Sequence, residues 1–285
     1  LTSAEKKRIL LNNIYGVDID PQAVEVTKLS LLLKVLEGES EETLVKHLRL
    51  FQERALPDLG ENIKCGNSLI GPDFYEDKQL SLIDEDERYR INAFNWDAEF
   101  PEIMEAGGFD AVIGNPPYIQ LSMAEYYEPA VAGYLRGTYS SAMGRLNTYG
   151  FFWERSISCL ARKGGLVGYI VPNTILTQYY YEGLRGILLK NRIREIAVHK
   201  YHVFKGAVVE PVVMVVERSS SSGAVRIDVY AAQEGAPTVR KLDQDLFRNA
   251  YKRAFLVGAT EDELELKSKV DDEYPRLSDL LSINQ

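Results

Sequence analysis

Only two cysteines occur in the 285 residues, Cys65 and Cys159, and they make no Cys-x-x-Cys pair, which excludes a disulfide framework and a thiolate zinc site. Both are expected to be small buried hydrophobes. Of the three histidines, His199 and His202 are separated by two residues with no acidic ligand beside them, so no metal site is expected. No apolar run approaches the roughly eighteen residues of a membrane span, and the charged amino end lacks the apolar core of a signal peptide. No membrane partner is therefore expected, and the chain reads as cytoplasmic. An excess of positive charge is missing too: the net charge is −9, against a generic nucleic-acid coat.

What remains is a globular composition, 45% apolar and 26% charged, with enough length for one full α/β core and a smaller remainder. Charge is unevenly spread. Acids crowd residues 73–105, notably Asp84-Glu85-Asp86-Glu87, while Arg185, Lys190, Arg192, Arg194, Lys200 and Lys205 share one stretch. Such a run is commonly a solvated face, and it is also where phosphate contacts are to be sought.

Residues 1–13 read as a helix capped by Thr2 or Ser3, and 14–20 as a strand stopping at Asp20, which can cap a helix whose first residue is Pro21. That helix, to about Leu36, is apolar nearly all round and is expected to be buried. A polar helix at 41–55, a short strand within 62–69 and an acidic connection over 72–105 with a helix near 85–97 come next. Residues 119–150, rich in Tyr, Gly and Ser, fit a long loop over a site. A helix over 148–163 should end at Gly164-Gly165 before a strand at 166–172, and a helix near 179–190 leads to strands at 193–198 and 211–216. Strand alternating with helix over 14–218 predicts an α/β fold with a mostly parallel sheet, the last two strands forming an antiparallel edge hairpin. Ser219 to Gly223 reads as a linker, and 224–285 as too polar for a domain of its own.

The chain is organised around Phe109-Asp110-Ala111-Val112-Ile113-Gly114-Asn115-Pro116-Pro117-Tyr118. Its apolar half reads as a buried parallel strand. Two prolines then remove ladder donors and fix φ, so the strand ends by presenting an amide, a rigid bend with free carbonyls and an aromatic ring. In open α/β sheets ligands bind at that end. Asn115 and the Pro116 carbonyl, both accepting from an amino group conjugated to a purine, would favour a pyramidal nitrogen with its lone pair aimed at an electrophile. Tyr118 would stack on the ring, a contact worth about 1–3 kcal/mol. A plain Asn-Pro turn with a core tyrosine is the structural alternative. Asp18 either accepts from both hydroxyls of a ribose or joins Asp20 in capping the helix, and both roles stand.

These residues resemble the gamma class of S-adenosylmethionine-dependent N6-adenine DNA methyltransferases, in particular the methylase portion of combined, type IIG-like restriction-modification enzymes. Asn115-Pro116-Pro117-Tyr118 is similar to their catalytic motif, and Gly16-Val17-Asp18-Ile19-Asp20-Pro21 to their ribose-binding strand end. Asn147-Thr148-Tyr149-Gly150-Phe151-Phe152, then Gly164-Gly165-Leu166 onward to Pro172, resembles the helix and strand after the catalytic loop. Val203-Phe204-Lys205-Gly206-Ala207 resembles the segment whose aromatic meets the extruded adenine. The likeness implies a Rossmann-like fold, S-adenosyl-L-methionine as cofactor, and methyl transfer to a flipped adenine in double-stranded DNA. It implies that Asp18 binds the cofactor ribose, Ile19 packs on its adenine, and Asn67, where many relatives carry Asp, sits beside the adenine amino group. Asn115 and Pro116 would orient the target amine, with Tyr118 and Phe204 holding the base by face and edge and Pro117 in the same substrate-binding turn. Positioning for in-line transfer, with no metal and no covalent enzyme intermediate, is what it implies for mechanism.

Residues 1–13 contain no glycine, so they cannot supply the family's first strand and glycine-rich loop, which should precede Gly16. The first strand is expected either in a longer polypeptide or in a companion chain. Residues 1–218 are thus expected to be an incomplete methyltransferase catalytic domain, and 219–285 a linker with the start of a target-recognition region. Two rival readings remain: a methyltransferase for a glutamine side chain or RNA, since such a turn can hold any planar amide or amine, and an inactive fragment that binds DNA or a partner.

Overall fold

The structure, a computed structural model, describes residues 1–38, 57–76, 85–121, 129–142, 147–199, 210–219, 226–232 and 238–274. The chain divides into two compact units, Leu1–Pro101 and Glu102–Gln285. In the first, α1 (Ser3–Asn13) starts from Thr2, whose hydroxyl accepts from the Glu5 amide while the Glu5 carboxylate accepts from the Thr2 amide. β1 (Gly16–Asp18) pairs in parallel with β2 (Ile63–Cys65). Between them α2 (Pro21–Leu36) begins as expected, with Asp20 accepting from the Gln22 amide and Pro21 in the first position. Asn62, buried just before β2, donates through Nδ2 to the carbonyls of Leu11 and Ile14 at 2.9 and 3.0 Å, closing the carboxyl end of α1.

α2 corrects an expectation. Val24 and Val35 pack with Leu10, Leu59 and Ile63, but Val26, Leu29 and Leu33 are each more than half exposed. Among the described residues α1 and a two-stranded sheet cover one face of this apolar helix. The single helix expected near 85–97 is instead α3 (Glu85–Ile91) and α4 (Trp96–Glu99), interrupted by Asn92 at φ 47°. The helix expected at 41–55 lies outside the described residues.

In the second unit β3 (Phe109–Gly114), β4 (Ala161–Pro172), β5 (Arg192–His199), β6 (Pro211–Glu217), β7 (Arg226–Ala232) and β8 (Thr238–Asp243) form one sheet in the order β3-β4-β6-β5-β7-β8. β3–β4 and β5–β7 run parallel, the other pairs antiparallel. The α/β class holds, with a mixed sheet. The β5–β6 pair is antiparallel as expected but lies inside the sheet, because β6 sits between β4 and β5 and β7 continues beyond. β7 and β8 therefore extend this sheet, and Phe247, Phe255 and Leu264 enter the same core. β6 shows how that core forms: Val212, Met214 and Val216 alternate onto one face and are all fully buried. Each such side chain contributes about 1.5–3 kcal/mol.

β3 is parallel, as expected, but it is a rim strand whose neighbour among the described residues is β4, so Ile113 is 85% exposed. The helix opening at Thr148, α6 once α5 (Pro129–Thr138) is counted within the expected loop, stops at Arg155. A π turn, Ser156–Leu160, then leads straight into β4, so Gly164 and Gly165 fall inside the strand instead of ending the helix. Gly108 explains the early pairing: at φ 116° it lies so close to the chain that a Cβ would stand 2.3 Å from the Leu160 carbonyl oxygen, which lets Phe109 face Ala161. Cys65 and Cys159 are both exposed, not buried, sitting at a strand end and in the π turn where the core does not cover them. Among the described residues no helix is long and apolar enough to cross a membrane.

Candidate active site

β3 delivers the 115–118 turn at its carboxyl end. Pro116 is buried, Asn115 and Pro117 are exposed, and Tyr118 is half-buried. Two neighbours brace it. Tyr118 Oη lies 3.0 Å from the Ile170 carbonyl oxygen of the adjacent β4 and 2.9 Å from Asn115 Oδ1. From the other side, the buried Thr148 hydroxyl donates to the Pro117 carbonyl and accepts from the Ile119 amide at 3.2 Å, and the Thr148 amide donates to the Ile119 carbonyl at 3.0 Å. Thr148 is held in turn by Asn147, which caps α6 by accepting from the Tyr149 amide. No described residue donates to the Pro116 carbonyl. The sequence had marked 147–152 as a segment without showing that Thr148 is the clamp; a threonine just after an Asn cap and facing the interior is its only local signal.

The Tyr118 ring stands edge-on to Tyr149, centroids 6.0 Å apart at 85°, and Tyr149 packs on Tyr181 at 5.3 Å. Burial raises the pKa of both Tyr118 and Tyr149, so each phenol is protonated at neutral pH. α7 (Thr174–Thr177) follows β4, and α8 (Glu182–Leu189) follows a turn at Tyr179–Tyr181. Arg185 of α8, fully buried, ties these together: Nη1 donates to the Ile175 and Gln178 carbonyls at 2.8 and 2.9 Å, and Nη2 to the Lys252 carbonyl at 2.8 Å. Burial lowers its pKa to about 10, leaving it charged at neutral pH. It is thus a strut inside the unit and not one of the phosphate-seeking cations its sequence neighbours suggested.

In the first unit, Asp18, Ile19 and Asn67 meet at the carboxyl end of the β1–β2 pair, where Asp18 lies opposite Cys65 and its carbonyl accepts from the Gly66 amide at 2.8 Å. Asp18 Oδ1 accepts from the Asp20 amide at 2.9 Å, and the helix cap belongs to Asp20 alone, so Asp18 Oδ2 is uncommitted among the described residues. Ile19 is half exposed. Asn67 Oδ1 accepts from the Leu69 amide at 3.1 Å, and the Asn67 amide donates to the Asn92 carbonyl at 2.7 Å. Asn92, whose left-handed backbone suits asparagine, is a supporting residue the sequence did not reveal. Gly66 is required there, since a Cβ would stand 2.4 Å from the Phe94 ring. Phe204 and the whole 203–207 segment, with Lys200, lie outside the described residues. Among the described residues no group of three or more His, Cys, Asp or Glu could hold a metal ion.

Comparison with known proteins bears on the same residues. The family model of the Eco57I restriction-modification methylase matches residues 12–204. RM.Eco57I of Escherichia coli, a type II restriction enzyme and methyltransferase, is 28% identical over 269 residues, 94% of this chain and 24% of that protein. The type II methyltransferase M.TthHB8I of Thermus thermophilus is 34% identical over 110 residues, 37% of this chain and 25% of that one. The cryo-EM structure of the DrdV–DNA complex shares the fold, with a TM-score of 0.54 at 13% identity over 92% of this chain and 26% of DrdV. The chain spans about a quarter of the length of RM.Eco57I. Because the family match runs from the end of α1 past β5 and takes in Asp18, Asn67 and the whole 115–118 turn, the chain belongs to the Eco57I restriction-modification methylase family.

Proposed function

We propose that this chain transfers a methyl group from S-adenosylmethionine to N6 of an adenine turned out of double-stranded DNA, as the modification activity of a restriction-modification enzyme. The braced 115–118 turn carries the reading: an exposed carboxamide beside a proline carbonyl to which no described residue donates, with a half-buried ring next to them. An adenine amine is a poor nucleophile because its lone pair is spread into the ring. Asn115 Oδ1 and the Pro116 carbonyl, each accepting one N–H, would hold the nitrogen pyramidal and turn the lone pair out of the ring plane. Tyr118 offers the stacking surface, worth about 1–3 kcal/mol. The base must leave the duplex, because N6 within a base pair cannot line up with a donor held by a protein.

The cofactor supplies an electrophilic methyl carbon on a sulfonium. Its adenosine part suits the β1–β2 end, where Asp18 Oδ2 can accept from a ribose hydroxyl and Ile19 offers apolar surface to the adenine. For Asn67 the hydrogen bonds leave the expected contact possible. With Oδ1 accepting from Leu69 through one lone pair, the second lone pair would accept from the cofactor adenine amino group, and the side-chain NH2 would be left to donate to a ring nitrogen.

Methyl-labelled S-adenosylmethionine, offered with adenine-unmethylated DNA, RNA or protein extract, tests the reading. N6-methyladenine is expected in digested DNA alone, and it should vanish in Asn115→Ala. Label in RNA or on glutamine, an undiminished Asn115→Ala rate, or no cofactor binding by calorimetry would each overturn it.

A further inference from the structure

The hydroxyl of Tyr118 poses a problem of proton counting. Oη lies within hydrogen-bond distance of two oxygens, Asn115 Oδ1 at 2.9 Å and the Ile170 carbonyl at 3.0 Å. A phenol carries one proton, and neither a carboxamide oxygen nor a carbonyl can donate. One of the two contacts therefore has no hydrogen in it as drawn. The Ile170 carbonyl belongs to the main chain of β4, paired with Val213 across the ladder, and cannot turn. The carboxamide can: its oxygen and nitrogen are nearly the same size, and half a turn exchanges them without moving a neighbour.

After that exchange every hydrogen is used. Asn115 Nδ2 donates to Tyr118 Oη, Tyr118 Oη donates to the Ile170 carbonyl, and Asn115 Oδ1 is released on the exposed side of the residue. We propose that Tyr118 is a positioning residue for Asn115, its hydroxyl relaying between Asn115 Nδ2 and the Ile170 carbonyl so that Oδ1 faces outward as an acceptor. This rests on the reading above, in which Asn115 takes a hydrogen bond from the substrate amine. The role is separate from stacking, which needs the ring and not the hydroxyl. It also gives polarity to the site: the opposite orientation would either spend Oδ1 on the phenol or present an NH2 to an incoming NH2. Donation from Nδ2 further polarises the amide, making Oδ1 a better acceptor.

Tyr118→Phe keeps the ring and removes the relay. The structure predicts a fall in single-turnover methyl-transfer rate of about five- to tenfold, the usual worth of one such hydrogen bond, with KM for DNA unchanged. If the phenol instead points at Oδ1, it shares that oxygen with the substrate amine and draws away acceptor strength, and Tyr118→Phe should leave the rate unchanged or raise it; that outcome overturns the proposal. Asn115→Ala separates the two levels. An inactive Asn115→Ala beside an undiminished Tyr118→Phe sinks the relay alone, whereas an active Asn115→Ala sinks the functional reading. Nitrogen-15 spectra of the chain decide independently of turnover. One Asn115 Nδ2 proton should lie at low field and move back in Tyr118→Phe, and a wild-type carboxamide whose protons do not respond to loss of the hydroxyl refutes the relay.

Discussion

Replacing Thr148 by valine removes a hydroxyl and keeps the shape, so it isolates the clamp on the 115–118 turn. The hydroxyl donates to the Pro117 carbonyl and accepts from the Ile119 amide at 3.2 Å, and at 1% exposure water cannot take its place from the Thr148 side. A net loss of about 0.5–1.5 kcal/mol for the Pro117 bond, with the Ile119 amide left short of a partner at about 1–3 kcal/mol, sums to about 1.5–4.5 kcal/mol. The main-chain bond from the Thr148 amide to the Ile119 carbonyl survives at 3.0 Å, so the turn should loosen without detaching. The two tryptophans fall one in each unit, Trp96 and Trp153. In a Trp96→Phe background, urea unfolding followed by fluorescence reports on the second unit, where Trp153 is buried. Thr148→Val should cost about 1.5–4.5 kcal/mol and Thr148→Ser, which keeps the hydroxyl, under about 1 kcal/mol. Equal losses in the two variants, or a valine variant within about 0.5 kcal/mol of wild type, would refute the clamp.

Arg185→Met removes a donor from the Ile175, Gln178 and Lys252 carbonyls, the second of which keeps the Tyr181 amide, and unfolding of the second unit should become easier by about 3–5 kcal/mol; a loss below about 1 kcal/mol would mean the strut is dispensable. The two glycines before β3 should differ sharply. Gly107→Ala meets no atom within 4 Å and costs only a left-handed backbone, about 1 kcal/mol, whereas Gly108→Ala drives a Cβ to 2.3 Å from the Leu160 carbonyl and should cost over about 3 kcal/mol. Comparable melting temperatures for the pair would contradict this. Burial raises the Tyr169 and Tyr181 phenols to about 12, above their unfolded value of 10, so the stability they contribute is intact below pH 10 and is lost as pH climbs toward 12. For Tyr169 that loss is up to about 3 kcal/mol. Arg185, lowered to about 10, works in the opposite sense over the same range, but it is one group against several phenols. Phenolate absorbance and circular dichroism should change together in alkali, and full tyrosine ionisation near pH 10 with the fold intact would show the phenols are not buried.

Features encoded within a few residues of one another were legible. The Thr2 and Asp20 caps, Pro21 at a first helical position, and a strand broken by two prolines each depend on contacts inside one turn, and each is found where expected. The turn proposed to orient the amine stood out for the same reason, since Asn115, Pro116, Pro117 and Tyr118 are consecutive. What covers an apolar surface was not. α2 and β3 read as buried because their side chains are apolar, yet exposure depends on how many neighbours a surface has, and Leu29, Leu33 and Ile113 are exposed.

By itself, then, the order of residues determined the local conformations and the turn proposed to orient an amine, because sterics and capping act over a few bonds. The tertiary structure alone decided the strand order, the continuation of the sheet into β7 and β8, and the parts played by Thr148, Arg185 and the Ile170 carbonyl. Those rest on partners 29, 67 and 52 residues away in sequence, and only closure of the chain brings such groups within hydrogen-bond distance.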